Sequence, residues 1–366
     1  MIFFNISAFF FSYFCVTAVY VIFMPKILQM VGYSALQIGI VFAMAPLMRF
    51  LVPFLFLKYI QLNRTIFYIA LSVICLSAFS FYATIEHFYL FLLPNLALGS
   101  ALGLILPYIE TYAMEHLGKE RFGKSRLYGS IGFMLIGIVL ARNLDTYSVG
   151  LHYFFFWVLA TILFGYLTTK DEQNSVHVSQ KTNTFELTKV RYLWISIFFM
   201  QISFGAFYNF FTIYETAHGI SLEMVSYLWA FGVICEIVFF YFQGPLLRGN
   251  LLRLIKFATF FASLRWLLLF LFPDFLLISF LSQSLHALTF ALHHTAVLSL
   301  LYSVYHNKKL AGQFYYGFSF GLGGFVGAML AGYFYGPNLY AYAATMAMIS
   351  FLVLLKQKPI VPVQNS

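Results

Sequence analysis

The feature that most constrains this chain is a series of long apolar runs that follow one another almost without interruption. Each run approaches the roughly 20 residues that an α-helix needs to cross the hydrocarbon core of a bilayer. Hydrophobic residues occupy 62% of the chain and charged residues only 9%. A soluble domain has about 25% charged residues, so water would not solvate a surface this poor in charge. The sequence therefore predicts an integral membrane protein.

The runs are continuously apolar and do not alternate with polar residues, which favours transmembrane helices over the strands of a membrane barrel. They predict an all-α fold with twelve spans in two sets of six. The first six spans cover residues 2–24, 36–57, 65–85, 88–114, 127–141 and 151–169. The other six cover residues 192–214, 222–243, 254–272, 275–302, 312–336 and 339–355.

Lysine and arginine residues are distributed unequally between the connections of these spans. Cytoplasmic loops carry an excess of both residue types. Alternate connections hold nearly all of them, and the opposite connections hold only Lys26 and Arg142. Both chain ends are therefore predicted to be cytoplasmic. The net charge of +9 is explained as a topology signal, and no nucleic-acid partner is expected.

The longest connection is polar and divides the spans into two equal groups. It predicts a six-helix N-terminal bundle at residues 1–169, a cytoplasmic linker at 170–189, a six-helix C-terminal bundle at 190–355 and a cytoplasmic tail at 356–366. Six-helix repeats of this kind occur in one large class of secondary transporters. This organisation is the first indication of transport.

Four charged residues lie inside predicted spans and away from their first few residues: Arg49, Glu110, Glu236 and Arg265. Each would cost roughly 2.5–3.5 kcal/mol at the bilayer centre, so such groups are expected to face the bundle interior and to pair. Glu110 is interpreted either as a substrate or proton site or as part of a structural ion pair. Glu236 and Arg265 lie on successive spans and are interpreted either as a coupling site or as a fixed link between helices.

Span ten carries three histidines, His286, His293 and His294. Because seven residues make about two helical turns, His286 and His293 are predicted to share one face, with His294 about 100° away. A histidine that faces a cavity can change its charge near neutral pH. We therefore treat His286 and His293 as candidate functional residues.

Neither metal chemistry nor catalysis is indicated by the sequence. The three cysteines lie apart in apolar spans, which favours neither a disulfide framework nor a metal site. No catalytic motif or phosphate-binding loop is present, so the chain is not predicted to be an enzyme. Span eleven is rich in glycine, which predicts close contact with a neighbouring helix; the glycines in question are Gly317, Gly321, Gly323, Gly324, Gly327 and Gly332.

Four short segments are distinctive. Residues 122–133 read FGKSRLYGSIGF, residues 230–236 read AFGVICE, residues 265–266 read RW, and residues 285–290 read LHALTF. Together with the topology, they resemble the major facilitator superfamily, in the branch that contains lactose permease and the phenylpropionate permeases. The first segment is similar to the family's FGRxRxxGxxG segment at the start of helix five.

This resemblance implies roles for several residues. Glu110 and Arg126 match the acid and arginine that bind substrate in the permease. Arg265 and His286 match its proton and affinity network, and Glu236 lies near its helix-eight acid. We add two further substrate-binding candidates, Phe133 and His293, and expect the Phe133 ring to stack on a ring of the substrate. These two complete the list of predicted site residues.

Two positions depart from lactose permease. Phe133 stands where that permease has a sugar-stacking tryptophan, and Thr289 stands where it has a proton-carrying carboxylate. Lactose is therefore a poor candidate substrate, and the proton carrier must be another residue. Glu236 is the first candidate and Glu110 the second.

The sequence thus predicts a secondary active transporter of the inner membrane that moves a small organic solute by alternating access with proton symport. An aromatic acid, a sugar and a nucleoside-like molecule all remain open as substrates. A uniporter or drug exporter of the same fold is the alternative, and an intramembrane enzyme or sensor is disfavoured. The expected partners are the solute, protons and the lipid bilayer. No cofactor beyond the proton gradient is expected, and the chain is expected to act as a monomer.

Overall fold

The computed structural model describes residues 2–58, 62–170 and 187–358, and the regular structure in these ranges is helical throughout. We number its principal helices α1 to α12 in chain order. The first six are α1 (Ile2–Val31), α2 (Ala35–Lys58), α3 (Arg64–Thr84), α4 (Phe88–Gly118), α5 (Glu120–Ala141) and α6 (Tyr147–Thr169). The other six are α7 (Leu187–Ala217), α8 (Leu222–Phe242), α9 (Leu251–Leu271), α10 (Leu276–Val304), α11 (Leu310–Tyr333) and α12 (Leu339–Leu355).

In the described ranges, 11 helices are long and apolar enough to cross a membrane, and α12 is a shorter apolar helix of 17 residues. The prediction of an all-helical membrane protein is therefore confirmed. The count of twelve crossings and the cytoplasmic position of both ends stay predictions. Most of the predicted linker at 170–189, and the tail beyond Lys358, lie outside the described residues.

Three of the helices contain a π-helical segment, at Val19–Phe23 in α1, Ala287–Leu292 in α10 and Tyr316–Gly323 in α11. A π-turn closes i→i+5 hydrogen bonds and therefore holds more residues than an α-turn, which changes the faces that the following side chains occupy. Such segments are rare and often lie at functional sites. Two of the three border the polar cluster described below.

Two helix boundaries differ from the predicted spans in ways that affect the site. The backbone leaves helical geometry at Gly118, with φ 70° and ψ 166°, a conformation that glycine adopts without a Cβ penalty. The next helix, α5, begins at Glu120, so Arg126 lies in its second turn and not at its start. In the same way α7 continues to Ala217, which places Glu215 inside the helix.

The described helices pack into two compact units. One comprises Met1–Ser179 together with Leu222–Ala230, and the other comprises Gln180–Ser221 together with Phe231–Ser366. In the first unit, α1 packs against the run Phe88–Ala141 and against α6. In the second unit, α12 packs against α7 and α9, and α11 packs against α7.

A polar contact in the first unit attaches the beginning of α8 to the end of α5. Arg142 donates from Nε to Glu223 Oε1 at 2.8 Å and from Nη2 to the Tyr227 hydroxyl at 2.8 Å. These two acceptors raise the pKa of the Arg142 guanidinium above its ordinary value, because both favour its charged form. The guanidinium is exposed, so we expect the contact to contribute little to the free energy of unfolding.

Candidate functional site

The second unit holds a buried polar cluster centred on Arg265 of α9, whose side chain is fully buried. Its Nε donates to Ser282 Oγ at 3.1 Å, and its Nη1 donates to Thr289 Oγ1 at 3.2 Å and to His286 Nδ1 at 3.0 Å. All three acceptors belong to α10. The sequence predicted Arg265 and His286 and missed Ser282, although Ser282 lies one helical turn before His286 and so shares its face.

Aromatic rings surround the Arg265 guanidinium on its remaining sides. Its central carbon lies 4.2 Å from the ring centre of Trp266 and 4.5 Å from that of Phe207. Cation–π contacts of this kind stabilise a charge that is removed from water. The Nη2 atom has no hydrogen-bond partner among the described residues. The Nη2 group of Arg265 is therefore a buried donor without an acceptor among the described residues.

His286 lies between Arg265 and Glu236. Because a guanidinium can only donate, His286 Nδ1 accepts from Arg265, and the hydrogen-bond network assigns the neutral ring's proton to Nε2. That Nε2 lies 3.7 Å from Glu236 Oε2. The Glu236 side chain is 22% exposed and that of His286 is 8% exposed. The structure thus brings together the three residues that the sequence assigned to proton coupling, with a protonated nitrogen facing the carboxylate.

The predicted arrangement of the histidines is wrong. Phe290 stacks on His286, with ring centres 5.2 Å apart and planes 3° from parallel, and also on His294, at 6.0 Å and 15°. His286, Phe290 and His294 therefore lie along one face of α10, and His294 is not set apart from His286 as predicted. The π-segment Ala287–Leu292 is the physical cause, because its wider turns rotate the residues that follow it.

His293 and His294 both line a small cavity between α7, α10 and α11, within the second unit. The cavity has room for about one water molecule. Its walls are mixed aromatic and polar, and include Gln201, Phe204, Phe290 and Ser319. His293 is buried, and its Nε2 has no hydrogen-bond partner among the described residues. In this conformation the cavity is too small for an organic solute.

The first unit brings Glu110 and Arg126, two of the three remaining predicted residues, into contact. Arg126 Nε donates to Glu110 Oε1 at 3.2 Å, and the two side chains are 32% and 36% exposed. The Arg126 guanidinium lies over Phe14 at 4.0 Å and over Phe10 at 5.5 Å. The pair is therefore open on one side and bordered by aromatic rings on another. Such a site suits a molecule with both a polar group and a ring.

Two further residues complete this part of the first unit. The Tyr13 hydroxyl is buried, donates to the Leu102 carbonyl at 3.4 Å and lies within electrostatic range of Glu110 and Arg126. No signal in the sequence separated Tyr13 from the many other tyrosines. Phe133 makes an edge-to-face contact with Trp229, with ring centres 6.3 Å apart. The role of Phe133 as a ring platform remains a prediction.

The sequence of the chain matches the model of the MFS_1-like family over residues 3–344. It is 27% identical over 256 residues to the "Probable 3-phenylpropionic acid transporter" of Escherichia coli strain K12, covering 66% of each protein. It is 22% identical over 252 residues to the "Uncharacterized transporter YwbF" of Bacillus subtilis strain 168, covering 66% of this chain and 63% of that protein. The chain thus aligns with just under two thirds of the length of these curated relatives.

Solved structures of two kinds of transporter share the fold. A mutant form of the nucleoside transporter NupG superposes with a TM-score of 0.77 at 15% identity, covering 97% of this chain and 98% of that one. An auto-inhibited peptide transporter of the POT family superposes with a TM-score of 0.75 at 12% identity, covering 100% of this chain and 98% of that one. At these identities the likeness concerns the fold alone.

The family match extends over nearly the whole chain, and the apolar helices are those of a multi-pass membrane protein. The proteins that it resembles are transporters of small molecules and not enzymes. This chain belongs to the MFS_1-like family and is a membrane transporter of the major facilitator type.

Proposed function

We propose that this transporter carries a small aromatic carboxylic acid across the bacterial inner membrane by alternating access, together with protons. The observation that carries the proposal is the partly exposed pair of Glu110 and Arg126, bordered by Phe10 and Phe14. Arginine binds carboxylates through two parallel hydrogen bonds, and aromatic side chains pack against a ring. The pair therefore offers both parts of an aromatic acid a matching surface.

Glu110 suggests how the binding of such an acid depends on protons. While Glu110 is ionised, it occupies Arg126 at 3.2 Å and repels a second carboxylate. Once Glu110 takes up a proton, Arg126 is released to pair with the carboxylate of the substrate. A neutral sugar would instead suit the ionised pair. The protonation state of Glu110 therefore determines which of these two substrate classes the site binds.

The relatives favour the acid over the sugar and the nucleoside. The curated relative with the higher identity is named for 3-phenylpropionic acid, which combines a carboxylate with a phenyl ring. The nucleoside transporter is similar in fold only. We therefore choose 3-phenylpropionate as the first substrate to test.

The cluster of the second unit is our candidate for proton coupling. In the described structure His286 bridges Arg265 and Glu236, so a proton gained by Glu236 changes the electrostatic balance around a buried arginine. Rearrangement of such a charged network can favour one conformation of a transporter over another. Twelve crossings and cytoplasmic chain ends belong to the same proposal, supported by the distribution of lysine and arginine. A monomeric state and an inner-membrane location are part of the proposal as well.

The test is uptake of radiolabelled 3-phenylpropionate into proteoliposomes that contain the purified protein. We expect accumulation when the outside is more acidic than the inside, and a much smaller signal without the gradient. Competition with unlabelled disaccharide and nucleoside should leave the uptake unchanged. Uptake that ignores the gradient would favour a uniporter, and accumulation only in the reverse direction would favour an exporter.

Replacing Arg126 with lysine should reduce 3-phenylpropionate uptake by about tenfold or more, because lysine keeps the charge and loses the planar fork and its stacking on Phe14. The measurement is the initial rate of uptake at several substrate concentrations, which separates weaker binding from slower transport. Arg121→Lys on the same helix is the matched control, because Arg121 is exposed and lies over Phe3. Equal losses in both variants would contradict the assignment.

A further inference from the structure

The second unit contains one more buried acid, Glu215, which the sequence placed just beyond the end of span seven. It lies in the last turn of α7 and is fully buried. Its Oε2 accepts a hydrogen bond from Ser279 Oγ of α10 at 2.8 Å. Its Oε1 is buried and has no hydrogen-bond partner among the described residues. No described lysine, arginine or histidine forms an ion pair with it.

This environment favours the neutral form of the carboxyl group. An ionised carboxylate in a protein interior needs a counter-ion or several donors to replace the water that it has lost, and otherwise it takes up a proton. One serine hydroxyl supplies a single donor. A protonated carboxyl group, by contrast, needs only one acceptor for its proton, and Ser279 Oγ can serve as donor or acceptor.

The titratable groups around Glu215 do not offer a strong positive charge at close range. Tyr340 of α12, Tyr335 in the connection after α11 and Asp274 in the connection before α10 interact electrostatically within this group of side chains. On α7 itself, Tyr214 donates to the Leu269 carbonyl at 3.4 Å, and His218 contacts the Tyr214 carbonyl through Nδ1 at 2.8 Å. These neighbours are neutral or acidic, except for a histidine whose Nδ1 already has a partner.

Tyr340 links this acid to the coupling cluster. Its ring stacks on Trp266, with centres 5.7 Å apart, and Trp266 in turn lies under the Arg265 guanidinium at 4.2 Å. The Tyr340 hydroxyl is buried, has no hydrogen-bond partner among the described residues, and is within electrostatic range of both Glu215 and Arg265. A change of charge at Glu215 therefore changes the electrostatic potential at the Arg265 cluster, because the protein between them has a low dielectric constant.

We propose that Glu215 is a second proton-binding site of this transporter, separate from Glu236 and electrostatically linked to Arg265 through Tyr340. The group holds its proton while the ends of α7, α10 and α12 are packed around it. It exchanges that proton when these ends separate and water reaches the carboxyl group. The transport cycle would then include two proton-binding steps, one at Glu236 and one at Glu215, where the ends of three helices meet.

Infrared spectroscopy of the full-length protein in lipid vesicles tests the proposal. A protonated carboxylic acid has a C=O stretching band that the carboxylate lacks, and we expect such a band at neutral pH in the wild type. The band should lose one component in Glu215→Gln and should be unchanged in Glu120→Gln, since Glu120 is exposed and pairs with Lys124. An identical band in the wild type and Glu215→Gln would overturn the proposal.

Two further readouts keep the test decisive. If Glu215→Gln does not fold, Glu215→Asp retains the acid, so the component should shift in frequency and not vanish; an unshifted band would again overturn the proposal. The link to Arg265 predicts that Glu215→Gln moves the pH dependence of uptake, while Glu120→Gln leaves it in place. The infrared band requires no transport, so it remains informative even if 3-phenylpropionate proves not to be the substrate.

Discussion

Replacing Glu236 with glutamine should abolish the gradient-driven accumulation of 3-phenylpropionate while leaving exchange of the solute across the membrane intact. Glutamine has nearly the shape of a protonated glutamate but cannot lose a proton. The contact with His286 Nε2, now 3.7 Å, would then stay in one charge state throughout the transport cycle. A coupled carrier that cannot release its proton equilibrates its substrate but does not concentrate it, so the internal level should stop at the external one.

The measurement compares pH-driven accumulation with counterflow in the same proteoliposomes. Glu120→Gln serves as the control, because it removes an exposed carboxylate that pairs with Lys124. Accumulation at the wild-type level in Glu236→Gln would exclude Glu236 as the carrier. Glu110 is the next candidate, and Glu110→Gln in the same assay would then be expected to lose the coupling.

These experiments rest on residues that the sequence identified because charge is so rare in its apolar spans. An arginine or glutamate inside an apolar run has a high energetic cost, which makes it conspicuous in the sequence and predicts that it will find a partner. The structure pairs Glu110 with Arg126 and brings Arg265, His286 and Glu236 together. The neutral partners were not predicted, because serine and tyrosine are common in this chain. Ser282 lies one turn before His286, but that spacing alone does not mark a partner of Arg265, and no spacing distinguishes Tyr13.

The other differences arise where local backbone geometry departs from an ideal α-helix. The wheel that set His294 about 100° away from His286 assumed 3.6 residues per turn, and the π-segment in α10 breaks that assumption. Apolar periodicity carries no signal for a π-turn. Glu215 was missed for a related reason, because the apolar run ends at Tyr214 while the helix continues for three more residues. Its burial comes from α10 and α12, which are distant in the sequence.

The glycines of α11 show how a correct sequence prediction becomes a sharp test once the partner is known. They predicted close helix contact, and the structure confirms it for Gly327, where an added Cβ would lie 2.9 Å from the Ile202 carbonyl oxygen of α7. The reciprocal residue on α7 is Gly205, which stands alone in its span and gave no such signal. A Cβ on Gly205 would overlap the Gly327 carbonyl and lie 2.8 Å from the Gly327 Cα.

Gly205→Ala should therefore destabilise the second unit by about 3 kcal/mol, at the upper end of the cost of overpacking, because backbone atoms cannot move aside as a flexible side chain does. The measurement is the fraction of protein that remains folded in detergent after heating. Gly317→Ala on α11 is the matched control, because its added Cβ would meet no atom within 4 Å and should change little. A wild-type heating curve for Gly205→Ala would show that α7 and α11 separate at little cost. The two helices would then be free to move relative to each other during transport and would not form a fixed contact.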